Sequence, residues 1–160
     1  SEALDEEVLP LLYETGCRNI TYAPESGSDR MLKIIKKKVQ IPRMLKSLRD
    51  AHRSHLVTRV NIIIGHPEEK RRDQWRSLKF LIQCALLGCQ DAAVMIFAPY
   101  PGSEDTKRLI TRGRLTIGPD YYYLALARSG WSSKTYNPRM STRELVIMQF
   151  FMLLVFYAVA

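Results

Sequence analysis

An α/β fold is predicted for this 160-residue chain: part of a (β/α) barrel or of a doubly wound sheet, with about three parallel strands, followed by a C-terminal apolar helix. Three observations predict it. Segments of helical period alternate with short runs of β-branched and aromatic residues. Those runs are nearly continuous in apolar character, as in strands of parallel sheets. Each strand closes on a polar, Gly- or Pro-containing turn that leads into a helix. Helices between buried strands force parallel pairing with right-handed crossovers, and three strands are too few to close an eight-stranded barrel.

The elements follow in order. Asp5 to Thr15 reads as a helix with Val8, Leu11 and Leu12 on one face and Gly16 as its stop. Asn19 to Ala23 suits a strand ended by Pro24, and Glu25-Ser-Gly-Ser28 turns the chain. Ser28 is placed to cap a helix from Asp29, with Met31, Leu32, Ile34 and Ile35 inward and Lys33 and Lys36-Lys-Lys38 in solvent. Pro42 opens a helix striped by Leu45, Leu48 and Ala51. Val57 to Gly65 is a strand whose Ile62-Ile-Ile64 run suggests cover on both faces. Residues 70–87 form an amphipathic helix, with Trp75, Leu78, Ile82 and Leu86 inward and Arg71, Arg72 and Lys79 outward, stopped by Gly88. Ala92 to Phe97 is the third strand, and a helix from Glu104 to Thr111 is stopped by Gly113. Tyr121-Tyr-Tyr123 precedes a short helix through Ala127, and residues 131–138 form a polar link. Ser141 with Glu144 makes a capping-box pattern before the apolar run Leu145 to Ala160. The division expected is 1–118 for the barrel segment, 119–140 for a linker with a short helix, and 141–160 for the apolar helix.

Composition excludes several classes. Hydrophobic residues make up 46% and charged residues 25%, which is neither disordered nor fibrous. Three Cys and three His rule out a disulfide framework or dense zinc module, and point to a reducing, cytoplasmic compartment. Cys17, Cys84 and Cys89 read as small buried hydrophobes, and no metal ligands are assigned. The acidic start lacks a secretory signal and an initiator Met, and the other end stops inside an apolar run, so a piece of a longer protein is expected.

Ligands of parallel α/β folds gather at the carboxyl ends of the strands. Three turns meet that condition here: Pro24-Glu-Ser-Gly-Ser28, Gly65-His-Pro-Glu-Glu69 and Pro99-Tyr-Pro-Gly-Ser103. Any one of them is an ordinary strand ending; three at one rim suggest a site. Glycines permit close backbone approach, and hydroxyls and a carboxylate give oriented hydrogen bonds. Glu25 suits a ribose diol, whose two hydroxyls both donate to one carboxylate. His66 stands at the rim and reads more readily as a loop histidine than as a substrate contact, while His52 and His55 carry no role.

Taken together, Gly16 to Ser28, Leu32 to Lys38, Asn61 to Glu68 and Pro99 to Ser103 resemble the radical S-adenosylmethionine (radical SAM) superfamily, in the branch often joined to an upstream cobalamin-binding domain or its cyclase-like relatives. The resemblance covers roughly residues 3–113 and implies the fourth, fifth and sixth strands of a six-stranded partial barrel. It implies ribose contact at Glu25, with Ser26 and Ser28 beside it. The family pattern G-x-I-x-G-x-x-E along the adenine falls on Asn61, Ile63, Gly65 and Glu68, with Asn61 replacing the first Gly. Ala98 to Tyr100 would pack near the adenine. The implied chemistry is reductive cleavage of S-adenosylmethionine to a 5′-deoxyadenosyl radical that abstracts hydrogen from an unknown substrate. A four-iron four-sulfur cluster on a C-x-x-x-C-x-x-C loop is implied too. No such loop occurs here, so its ligands and the first half of the barrel are expected upstream, and the chain by itself is expected to be inactive. Cobalamin is a further implied cofactor.

The net charge of +8 comes from 24 Lys and Arg against 16 Asp and Glu. Without interleaved aromatics the basic runs read as solvated helix faces rather than a nucleic-acid site, although a tRNA-modifying relative fits them. Sixteen apolar residues fall short of the ~20 that span a bilayer, but Lys134, Arg139 and Arg143 before them favour a segment that enters a membrane over a core helix. The rival to the enzyme reading is a non-catalytic basic α/β interaction module tethered to a membrane.

Overall fold

The computed structural model describes residues 7–122 and 134–160. Three parallel strands, β1 (Asn19–Glu25), β2 (Val57–Ile64) and β3 (Asp91–Ile96), lie in the order β1-β2-β3. Among the described residues six α-helices accompany them: α1 (Val8–Glu14), α2 (Asp29–Ile34), α3 (Ile41–Arg53), α4 (Arg71–Leu86), α5 (Glu104–Thr111) and α6 (Thr142–Val159). The α/β class and the C-terminal apolar helix are as the sequence predicts.

The sheet buries one face. Tyr22, Val60, Ile62, Ile64, Ala92, Val94 and Ile96 join Leu48 and Ala51 of α3, Phe80 and Leu81 of α4, and Leu145, Met152 and Phe156 of α6 in a single core. The alternate positions Arg59, Asn61, Ile63, Asp91, Ala93 and Met95 stay at least partly exposed. Cover on both faces, expected for Ile62-Ile-Ile64, is therefore not met: Ile62 and Ile64 share the buried face, and Ile63 on the opposite face is half-buried. All three packed helices insert on the side of the even-numbered residues.

Several faces differ from the periodicity. In α1 the buried residue is Leu9, whereas Val8 and Leu11 are exposed, and the helix packs against α3. Trp75 and Leu86, expected inward on α4, are 54% and 71% exposed. The helix sits with Gln74, Ser77, Leu78, Leu81 and Cys84 inward, a face selected by polar partners that an apolar count does not register. Met44 joins Leu48 and Ala51 as the buried stripe of α3. Pro24 does not end β1, which continues to Glu25. Ser28 occupies the N-cap of α2 without capping it; its hydroxyl donates to Asp73 instead. The helix expected through Ala127 lies outside the described residues.

Ser141 does cap α6, accepting from the Glu144 amide at 3.2 Å, while the Glu144 carboxylate turns to Arg71. By length and composition α6 could cross a membrane. In the fold it is docked along β3 and beside α4. Gln149 donates its side-chain amide to the Val94 carbonyl at 2.6 Å, and Tyr157 donates to Asp91 at 2.5 Å. Side chains of α6 thus occupy polar groups along β3.

Candidate functional site

The site begins with an irregularity in β1. Tyr22 pairs with Val60 and Glu25 with Ile62, so Ala23 and Pro24 together face Asn61 alone. Such a bulge bends an edge strand and re-aims the next side chain. Glu25 carries a φ of +73°, a left-handed conformation that costs a non-glycine residue of order 1–3 kcal/mol and concentrates at functional positions. Its carboxylate lies 3.6 Å from Lys37 Nζ, which also donates to the Ala23 carbonyl at 3.2 Å.

The turn after Glu25 is clamped to α4. Gly27 donates its amide to Ser77 Oγ at 3.0 Å, and a Cβ at Gly27 would stand 2.6 Å from Phe80 Cβ and 2.8 Å from the Ser77 backbone. Ser26 is buried and accepts the Ser28 amide at 3.1 Å. Fully buried Asp73 collects the Ser28 hydroxyl at 2.7 Å, the Lys70 amide at 3.0 Å and the Arg30 guanidinium. Burial alone would raise the Asp73 carboxyl, but the Arg30 and Ser28 hydrogen bonds outweigh it and hold the carboxyl down at about 2. Arg30 also donates to the Glu68 carbonyl at 2.9 Å, which ties the first turn to the second.

In the second turn Gly65, at φ +83°, donates its amide to Glu69 Oε2 at 2.5 Å. Burial raises the Glu69 carboxyl to about 7 against the Gly65 and Gln74 hydrogen bonds that lower it. Asn137 straps this loop from outside, its amide donating to the carbonyls of His66 and Glu69 at 2.6 and 2.9 Å. His66 is buried, accepts the Glu68 amide at Nδ1 (3.2 Å) and meets Asp105 through Nε2 (3.2 Å). An Nδ1 that accepts assigns the proton to Nε2, so both ring nitrogens are occupied. The ring edge packs on Phe97, 5.0 Å between centroids. In the third turn Ser103 caps α5, and Thr106 donates to the Tyr100 carbonyl at 2.5 Å.

The three turns enclose a cavity of about 500 Å³ lined by Glu25, Ser26, Ile63, His66, Phe97 and Tyr100, with Met31, Ile35, Lys37, Ser103 and Asp105 completing the wall. Four residues chosen from the sequence thus share it: Glu25, Ser26, Ile63 and Tyr100. The other five are not among its lining. Ser28 is a buried strut to Asp73. Asn61 lies two residues before Ile63 on the same face of β2, its Oδ1 buried and without a hydrogen-bond partner among the described residues. Gly65 packs under Leu145. Glu68 is half-buried and lies 3.7 Å from Arg112, and Ala98 is buried behind the rim. The sequence reading missed Glu69 as the buried carboxylate, since adjacent acids do not reveal which one turns inward. It also undervalued His66, whose signal was its place directly after the strand-ending glycine.

The cavity sets the Glu25 and Asp105 carboxylates and the Lys37 cation beside the aromatic and aliphatic walls of Phe97, Tyr100 and Ile63, a mixture that suits a ligand with a diol and a flat base. Among the described residues no group of three or more His, Cys, Asp or Glu is placed to hold an ion. Cys84 and Cys89 are buried, and burial pushes both thiols up, away from the thiolate that a metal needs.

No family model matches the chain. Over 100 residues, 62% of its length, it is 29% identical to an uncharacterized methyltransferase of Pyrococcus horikoshii. The chain spans about a fifth of that relative, 21% of its length.

Proposed function

We propose that this chain forms the ribose- and adenine-facing part of an S-adenosylmethionine site, within the second half of the barrel of a radical SAM enzyme. The observation that carries the reading is the convergence of all three strand ends on one cavity, with a bulged, left-handed Glu25 aimed at it. The methyltransferase relative supports S-adenosylmethionine as the cofactor, since that molecule is the common methyl donor. The residues fit the nucleoside half of the cofactor. Glu25 would accept both ribose hydroxyls, its 3.6 Å separation from Lys37 leaving its oxygens available. Ile63, Phe97 and Tyr100 would bracket the base, and His66, held at both nitrogens, is a wall rather than a proton acceptor. Ser28 and Gly65 act behind them, fixing the turns that set this geometry.

Bound S-adenosylmethionine supplies either a transferable methyl group or, on one-electron reduction, the 5′-deoxyadenosyl group. The described residues do not fit an iron–sulfur cluster, and no step is assigned to one or to cobalamin. Radical chemistry rests on the sequence resemblance, while the relative's name favours methyl transfer. Products separate the two in the longer protein: 5′-deoxyadenosine for the radical route, S-adenosylhomocysteine without it for direct transfer.

Calorimetric titration with S-adenosylmethionine tests the site. Glu25→Ala is expected to weaken binding at least tenfold, since a hydrogen bond to a charged group contributes about 1.5–3 kcal/mol. The 2′-deoxy analogue should bind more weakly than the parent to the wild type but equally to Glu25→Ala. Unchanged affinity in Glu25→Ala would remove the ribose assignment.

A further inference from the structure

The outer surface of α6 is apolar where a chain of this charge would be expected to be polar. On α6, Ile147, Phe150, Phe151, Leu154 and Tyr157 are 40–70% exposed. Trp75 of α4 lies beside them, its ring centroid 6.2 Å from that of Phe151 in an edge-to-face arrangement. Contiguous exposed apolar surface of this kind marks a contact surface. The inner face of α6 is committed elsewhere: Leu145, Met152 and Phe156 are in the core, and Gln149 holds the Val94 carbonyl. A helix anchored in this way cannot turn to cross a bilayer without opening the sheet, so it is the outer stripe that seeks a partner.

The charges around the stripe say which partner. Arg71, Arg72, Arg76 and Lys79 are exposed on α4, whose one acid, Asp73, is buried against Arg30. On α6 Arg143 is exposed, and the single acid, Glu144, is paired with Arg71. The surface therefore combines aromatic and aliphatic side chains with a border of cations and no unpaired acid. Two copies meeting through it would place cations against cations. A nucleic acid would use the cations but leave Ile147 and Leu154 without a partner. We infer that the α4–α6 face is a docking surface for an anionic lipid bilayer, lying on the membrane with its apolar stripe in the headgroup boundary rather than spanning it. This inference does not depend on the cofactor reading.

Flotation of the full chain with vesicles tests it, using phosphatidylcholine alone and phosphatidylcholine with 30% phosphatidylserine (an amount on the order of that in natural anionic membranes). A Trp131→Phe background leaves Trp75 as the reporter, because the sequence holds 2 Trp. Binding is expected only to the anionic vesicles, with a blue shift of Trp75 emission. Phe150→Ser with Leu154→Ser should weaken it by about tenfold or more through lost apolar contact, and Arg72→Glu with Lys79→Glu similarly through charge. All four side chains are exposed, so these variants should keep the wild-type circular dichroism. The inference is overturned by no anionic-vesicle binding, by equal binding of the variants, or by a concentration-dependent dimer or a nucleic-acid complex that protects Trp75 while vesicles do not bind.

Discussion

Glu25 shows how one residue can spend stability on placement. Its left-handed backbone and the bulge before it point the carboxylate into the rim, although its register partner Ile62 faces the core. Two neighbours are fixed as tightly. Gly27→Ala would force Cβ against the α4 backbone at 2.8 Å, so at least ~2 kcal/mol of stability should be lost; thermal denaturation of the variant measures it. Glu69 behaves oppositely to Asp73. Its carboxyl is raised from 4.5 to about 7, so the folded state holds the proton more tightly than the unfolded one. Stability from that proton is full below about pH 4.5 and declines as pH rises through about 7. Glu69→Gln keeps an acceptor for Gly65 and adds a donor for Gln74 Oε1, which has no hydrogen-bond partner among the described residues. Its melting temperature should therefore stay flat from pH 5 to 8 where that of the wild type falls, a contrast that scanning calorimetry across ~3 pH units would show.

Between elements, the decisive contacts are polar and cross from one turn to the next. Ser28, Arg30 and Asp73 join the turn after β1 to the start of α4, and Arg30 continues to the Glu68 carbonyl. Removing Asp73 would strand a guanidinium and a buried hydroxyl together. Asp73→Ala should cost on the order of 3–5 kcal/mol, as for a broken buried pair, and should loosen the rim, seen as faster amide exchange at Gly27 and Ser28. The depressed Asp73 carboxyl gives the opposite sign to Glu69: its contribution is complete above pH 3.8 and is lost as pH falls toward about 2.

For the whole molecule, α6 is the piece that completes the core. It packs along β3 and α4, and its Gln149 satisfies a β3 carbonyl that would otherwise be buried alone. Gln149→Leu is expected to lower stability by about 1–3 kcal/mol, the penalty of one unsatisfied buried group, read from urea unfolding. The helix is apolar all round for two different reasons, core on one side and exposed surface on the other, which composition alone does not separate.

Periodicity and punctuation determined much by themselves: three strands, the helices between them, parallel pairing, and the strand ends where Glu25, Ser26, Ile63 and Tyr100 meet. These are local matters, set by side-chain spacing and by where Gly and Pro interrupt it. Tertiary structure alone decided that Pro24 stays within β1, that Trp75 faces outward, that Ser28 serves Asp73 rather than its own helix, and that Glu69 rather than Glu68 is enclosed. Each depends on a partner dozens of residues away or on the packing of one loop. A buried polar group takes whichever neighbour the fold brings within hydrogen-bond reach, and no pattern along the chain records that distance.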